Sequence, residues 1–183
     1  AEFLSMEEPT NKPKNFRRVL VNNLIKAYGQ HIEQPNTVLK VIKLDSSGKL
    51  TQSIPLRTFK YLDIINEKWE TSQLFEQLTQ QFIFIVFKEQ EVNDSSILQK
   101  IISLRMSATD LKEAQNVWKK TVSQINLKKA DELPKISESM VLHVRPHAQN
   151  KEDTFPTHYG KDVIKKSFWL NAKFIENFIR DYD

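Results

Sequence analysis

Four histidines, at positions 31, 143, 147 and 158, are the side chains best suited to move a proton or bind a metal near neutral pH, and they spell no HExxH motif. No cysteine occurs. A thiol nucleophile, an iron–sulfur cluster, a cysteine-based zinc site and a disulfide framework are thereby excluded. The three glycines, Gly29, Gly48 and Gly160, stand too far apart to write GxGxxG or a P-loop, which removes the two common phosphate cradles. The remaining candidates are lysines, arginines and scattered carboxylates.

Their distribution is uneven. Between residues 10 and 60 ten Lys or Arg face only Glu33 and Asp45, a local charge of +8, whereas residues 61–110 carry four positive and eight negative side chains, a local −4. Such a separation makes one face attractive to a polyanion such as nucleic acid. The competing reading is a surface solvated by mixed charge. The longest apolar run, Phe82 to Phe87, is far too short to span a bilayer, and no signal peptide is visible. The expected setting is the cytoplasm, with no membrane partner.

These side chains must be positioned by elements, and the periodicity suggests which. Residues 1–14 read as a disordered or cloning-derived tail, and 15–183 as one domain. Phe16, Val19, Leu20, Leu24 and Ala27 keep helical spacing over 15–27, ended by Gly29. Thr37 to Leu44 is rich in β-formers, and Asp45-Ser46-Ser47-Gly48 is a turn leading to a hairpin partner over 49–54. Two short helices are expected over 57–66 and 72–80. Phe82–Phe87 lacks alternation, so it predicts a central strand covered on both faces. Ile97–Leu104 predicts another strand. Ser107 with Asp110 resembles a capping box and opens a helix whose stripe is Leu111, Ala114, Trp118, Val122 and Ile125. Loops are expected over 128–139 and 147–166, a last strand over Met140–Val144, and a terminal helix over Asn171–Tyr182. The sum is α/β or α+β, a mixed central sheet flanked by helices.

Three blocks then occur in order: Val38-Leu39-Lys40 on a strand, Trp69-Glu70-Thr71-Ser72 ahead of the apolar strand, and His143-Val144-Arg145-Pro146-His147-Ala148 followed by Lys166-Ser167-Phe168-Trp169-Leu170-Asn171. Over residues 36–183 the chain resembles the MutH family, which includes a mismatch-repair nickase and type II restriction endonucleases that cut GATC. The resemblance implies a restriction-endonuclease-like (MutH-like) fold that grips duplex DNA. It also implies a site built from an aspartate, a spacer and Glu-x-Lys, in which two carboxylates hold Mg²⁺ against the scissile phosphate. Lys40 matches the lysine. The glutamate position is Val38, and seven residues before it stands His31. Both carboxylates are missing. An aliphatic side chain cannot hold a hard cation, so no catalytic residue and no metal are expected here. Glu33, Asp45 and Glu70 are the carboxylates that could rescue the site. Lys40 could equally snorkel at a sheet edge beside Val38 and Ile42.

A recognisable domain without its carboxylates is similar to the second MutH-like copy of certain restriction enzymes, whose first copy cuts and whose second binds another GATC as an allosteric effector. The resemblance assigns base readout to Arg145, Pro146 and His147. Arginine can bond guanine O6 and N7 as a fork, proline stiffens the turn, and histidine can donate to a base acceptor, weakly and with a dependence on pH. Backbone contacts are expected from Asn150, Lys151, Lys161, Lys165, Lys166, Trp169 and Asn171. Trp169 could instead anchor a core, and Asn171 could cap the last helix. Trp69 and Trp118 read as core, and His31, His143 and His158 as structural or solvent-facing.

The function expected is GATC-specific duplex binding by a catalytically silent effector domain of a type II site-specific deoxyribonuclease. The domain itself needs no cofactor, the catalytic N-terminal half of the same polypeptide needs Mg²⁺, and a DNA-induced dimer is a further candidate partner. The rival expectation is an active Mg²⁺-dependent GATC endonuclease or nickase with a relocated carboxylate. A third is a protein-interaction domain on the same fold.

Overall fold

The computed structural model describes residues 36–91 and 96–181. The tail over 1–14, the helix over 15–27, His31 and Glu33 lie outside the described residues. In chain order the elements are β1 (Thr37–Leu44), β2 (Ile54–Phe59), α1 (Tyr61–Ile64), α2 (Gln73–Leu78), β3 (Gln81–Glu89), β4 (Ser96–Leu104), α3 (Ala108–Asn126), β5 (Leu142–Pro146), β6 (Thr154–Pro156), β7 (Asp162–Ile164), β8 (Lys166–Leu170) and α4 (Ala172–Asp181), with short 3-10 turns at Trp69–Thr71 and Ile136–Glu138. The described residues group into two compact units, each with its own three-stranded sheet, where the sequence suggests one central sheet.

The first unit comprises residues 36–51, 80–91, 96–105 and 178–181. Its sheet is mixed, in the order β1-β3-β4, with β1 parallel and β4 antiparallel to β3. Every residue from Phe82 to Phe87 is buried, as the unbroken apolar run predicts for a strand with neighbours on both edges and cover on both faces. Phe82 and Phe84, two residues apart and so on one face, stack with their planes 9° apart. On the other face Leu39 and Val41 of β1 pack against Ile85, Phe87 and Leu98. The turn after β1 is closed by Asp45, which accepts hydrogen bonds from Ser47 Oγ at 2.7 Å and from the Lys49 amide at 2.9 Å. Gly48 adopts φ +85°, a left-handed value glycine takes without a Cβ penalty. The expected hairpin over 49–54 shrinks to one bridge between Leu44 and Leu50.

The second unit comprises Gln52–Thr79 and Met106–Asn177. Helix α3 begins as its sequence indicates. Ser107 Oγ accepts from the Asp110 amide at 3.1 Å, and Asp110 Oδ2 accepts from the Ser107 amide at 3.0 Å. Ala114, Val117, Trp118, Thr121 and Ile125 form its buried stripe, and Trp118 packs against Trp69 with ring centroids 5.8 Å apart. Leu111 and Val122, expected on that stripe, are only half-buried.

The second sheet is antiparallel, in the order β2-β8-β5, and it corrects three expectations. Residues 57–59 belong to strand β2 rather than to a helix, because Ile54, Leu56 and Phe59 bury against the unit. Pro55 is tolerated because β2 is an edge strand with a register shift between Pro55 and Thr58. The segment Lys166–Leu170, whose first residue is expected in a loop and whose other residues are assigned no element, is the central strand β8, and the strand expected over Met140–Val144 is therefore not the last. Within the expected loop over 147–166, β6 and β7 form a separate two-stranded ribbon.

Candidate nucleic-acid interface

Strand β5 runs antiparallel to β8 with His143 opposite Trp169 and Arg145 opposite Ser167. Paired residues share a face, and the side-chain period of a strand is two. Leu142, Val144, Phe168 and Leu170 therefore share one face, and all four are buried. The opposite face carries His143, Arg145, Ser167 and Trp169. It continues past the strand ends to His147, whose amide still donates to the Lys165 carbonyl at 2.9 Å, and to Asn171.

That polar face has a closed end and an open end. At the closed end His143 and Asn171 are 4% and 3% exposed. His143 Nδ1 lies 2.5 Å from Asn171 Oδ1, and Asn171 Nδ2 donates to the Ser139 carbonyl at 2.7 Å. An amide oxygen only accepts, so Nδ1 carries the proton. Burial lowers the His143 pKa, the Asn171 bond opposes that, and the Arg145 charge adds to it. The ring is a structural element, as expected. Ser139 Oγ in turn donates to Glu113 at 2.7 Å, which ties this end to α3.

At the open end Arg145, Pro146 and His147 are exposed. The Arg145 guanidinium carbon lies 4.0 Å from the centre of the Trp169 ring. The His147 ring approaches the same indole at 5.2 Å between centroids, and its Nδ1 is 3.0 Å from Ser167 Oγ. The sheet thus presents an arginine and a histidine side by side on an aromatic base, with a proline between them. An exposed guanidinium and an exposed imidazole are the donors that suit acceptor atoms on base edges or phosphates.

The lysines named as backbone contacts divide. Lys151 and Asn150 are exposed in the turn after β5, where Asn150 Oδ1 accepts from the Glu152 amide at 3.0 Å. Lys161 is exposed and pairs with Asp131 at 2.6 Å, which raises the lysine pKa and lowers that of the carboxyl. Lys165 pairs with Asp153, and its ammonium lies 4.6 Å from the centre of the Phe155 ring. Two others, Lys166 and Asn171, are turned inward. Strand parity puts Lys166 on the apolar face, where it is 7% exposed, donates to the Ala130 carbonyl at 2.6 Å, and has its pKa lowered by burial. Asn171 is held by His143 and Ser139. The one polar atom of Trp169, Nε1, is shut off from solvent and makes no hydrogen bond in this structure. Lys166 and Asn171 are buried and bonded within the protein, so the expectation that they contact phosphate is corrected; Trp169 is half-buried, with Arg145 and His147 against its ring.

The degenerate catalytic position lies in the first unit, on β1. Val38 and Lys40 are opposite Phe82 and Phe84 of β3, on the same face as the buried Ile42 and Leu44. Lys40 is half-buried, and desolvation lowers its pKa. Asp45 is half-buried, and its carboxylate is engaged in closing the turn, which lowers its pKa. Glu70 is exposed in a 3-10 turn of the second unit. Among the described residues no group of three or more His, Asp or Glu side chains gathers that could hold a metal ion.

Sequence reasoning missed two parts of this interface, Ser167 as the partner of His147 and Trp169 as the support of Arg145. The alternation of Ser167, Trp169 and Asn171 held the signal, but it has meaning only once 166–170 is read as a strand.

No protein-family model matches the chain. The fold is a mixed α/β arrangement, and the chain is distantly homologous to a restriction enzyme. It is 23% identical, over an alignment 224 positions long, to the type II restriction enzyme Sau3AI of Staphylococcus aureus, an alignment that takes in 98% of this chain and 43% of that protein. The chain therefore spans less than half the length of this bacterial relative. Among the described residues no helix is long and apolar enough to cross a membrane.

Proposed function

We propose that this chain binds duplex DNA at GATC and does not cut it, as the effector domain of a type II restriction endonuclease with a MutH-like fold. The single observation that carries the reading is the open end of the β5–β8 face, where Arg145 and His147 stand exposed on Trp169. Arg145 would read guanine through O6 and N7, and each such fork is worth about 1–3 kcal/mol of discrimination. Lys151, Lys161 and Lys165 would contact phosphates, which fix register without reading sequence. The aliphatic Val38 beside Lys40 and the engaged carboxylate of Asp45 support a silent site. Distant homology over 43% of a restriction enzyme fits one domain of a longer polypeptide. In that polypeptide a catalytic N-terminal half would require Mg²⁺ and would respond to occupancy here.

Fluorescence anisotropy with a GATC duplex and a scrambled duplex of equal composition tests the reading. Tighter binding of the GATC duplex, in magnesium and in EDTA alike, is expected, and Arg145→Ala should bring the two duplexes together. Equal affinity of the unaltered protein for both would refute it.

A further inference from the structure

We infer that Trp169 is a positioning residue for sequence readout: it holds the Arg145 guanidinium in its reading pose and makes no contact with DNA itself. The inference rests on the proposed binding at Arg145 and assigns the source of its selectivity.

An arginine at a strand end keeps many rotamers, and each must be surrendered when its fork closes on a guanine. Arg145 does not begin from that freedom. Its guanidinium carbon sits 4.0 Å from the indole centre, at cation–π distance. The contact is made to the face of the ring, and none of the hydrogen bonds among the described residues engages the Arg145 N–H donors. Among the described residues no carboxylate pairs with Arg145, so the indole is what fixes it. The indole is itself fixed. Trp169 lies on the central strand, between Pro55 of β2 and His143 of β5. Its Nε1 is enclosed without a partner, so it has no polar atom to offer a phosphate. His147 flanks the same ring and is held by Ser167. The arrangement is a rigid base with two donors seated on it.

A residue acting through Arg145 must fail when Arg145 is gone, and it must affect specific binding alone. Trp169→Leu should weaken GATC binding by about three- to thirty-fold, the range expected for losing a cation–π contact. Scrambled-duplex affinity should not move, and Trp169→Phe should recover part of the loss. In an Arg145→Ala background Trp169→Leu should add nothing. Trp169→Leu could unfold the sheet, so the same protein is also to be made with fluorinated tryptophan, which drains the π face and keeps the ring's shape. GATC affinity should then fall with each added fluorine in the unaltered protein and stay flat in Arg145→Ala. Equal weakening of both duplexes, an undiminished effect without Arg145, or insensitivity to fluorination would each overturn the inference while leaving GATC binding in place. If the unaltered protein shows no GATC preference at all, the inference falls together with the function it rests on.

Discussion

Lys151 and Lys166 carry the same charge in the same half of the sequence and should respond to different experiments. Lys151 is exposed in the turn after β5. Lys151→Ala should weaken all duplexes alike and flatten the slope of log affinity against log salt by about 1, the signature of one lost phosphate contact. Lys166 is buried on the apolar face and bonded to the Ala130 carbonyl. Lys166→Ala should leave the salt slope unchanged and cost about 1–3 kcal/mol in stability, because it strands a buried acceptor; thermal denaturation would show it. Residue types in the flanking segments gave both lysines one expected role, and only strand parity separates them. His143 adds a dependence on pH. Burial holds its folded pKa below the ordinary 6.5, so the unfolded chain takes up the proton first as pH falls. Its stabilising contribution is complete above about pH 6.5 and is lost as the pH drops below that value toward the folded pKa. The melting temperature should therefore fall between pH 7.5 and 5.5 more steeply for the unaltered protein than for His143→Gln.

At the scale of elements, legibility follows from whether a signal is local. The capping box of α3 is four residues long, and both of its bonds are present. Ser107→Ala should lower stability by about 1 kcal/mol without touching DNA binding, which denaturant titration beside anisotropy would check. Strand β3 is legible because six consecutive apolar side chains have no alternative to double-sided burial. Phe84 is fully buried at its centre, and Phe84→Ala should cost about 3–5 kcal/mol. Strands β2 and β8 were hidden for the opposite reason. Pro55 looks like a break unless β2 is known to be an edge, and Lys166 looks solvent-facing unless its neighbours are known. Both strands owe their conformation to partners distant in sequence. With β8 unread, the alternation of Ser167 and Trp169 could not point to Arg145 and His147. The block around Arg145 stands out in the sequence, but the surface that seats it does not.

For the molecule as a whole, the sequence indicates a mixed α/β protein, and the described residues agree in element types and differ in grouping. Two three-stranded sheets stand where one central sheet was expected, because strand order depends on contacts that no window of sequence contains. Of the ten cations over 10–60, Arg57 in β2 and Lys60 just after it lie in the unit that carries Arg145, Lys40, Lys43 and Lys49 lie in the other unit, and the remaining five lie outside the described residues. The central claim is that this chain recognises GATC and leaves it whole. An end-labelled GATC duplex, saturated with the protein in magnesium beside a scrambled competitor and then run on a denaturing gel, tests both halves at once. The account predicts that the labelled duplex stays bound against the competitor and that every labelled strand is recovered at full length. Strand scission that disappears in Lys40→Ala would contradict it, and so would displacement by an equal amount of the scrambled duplex.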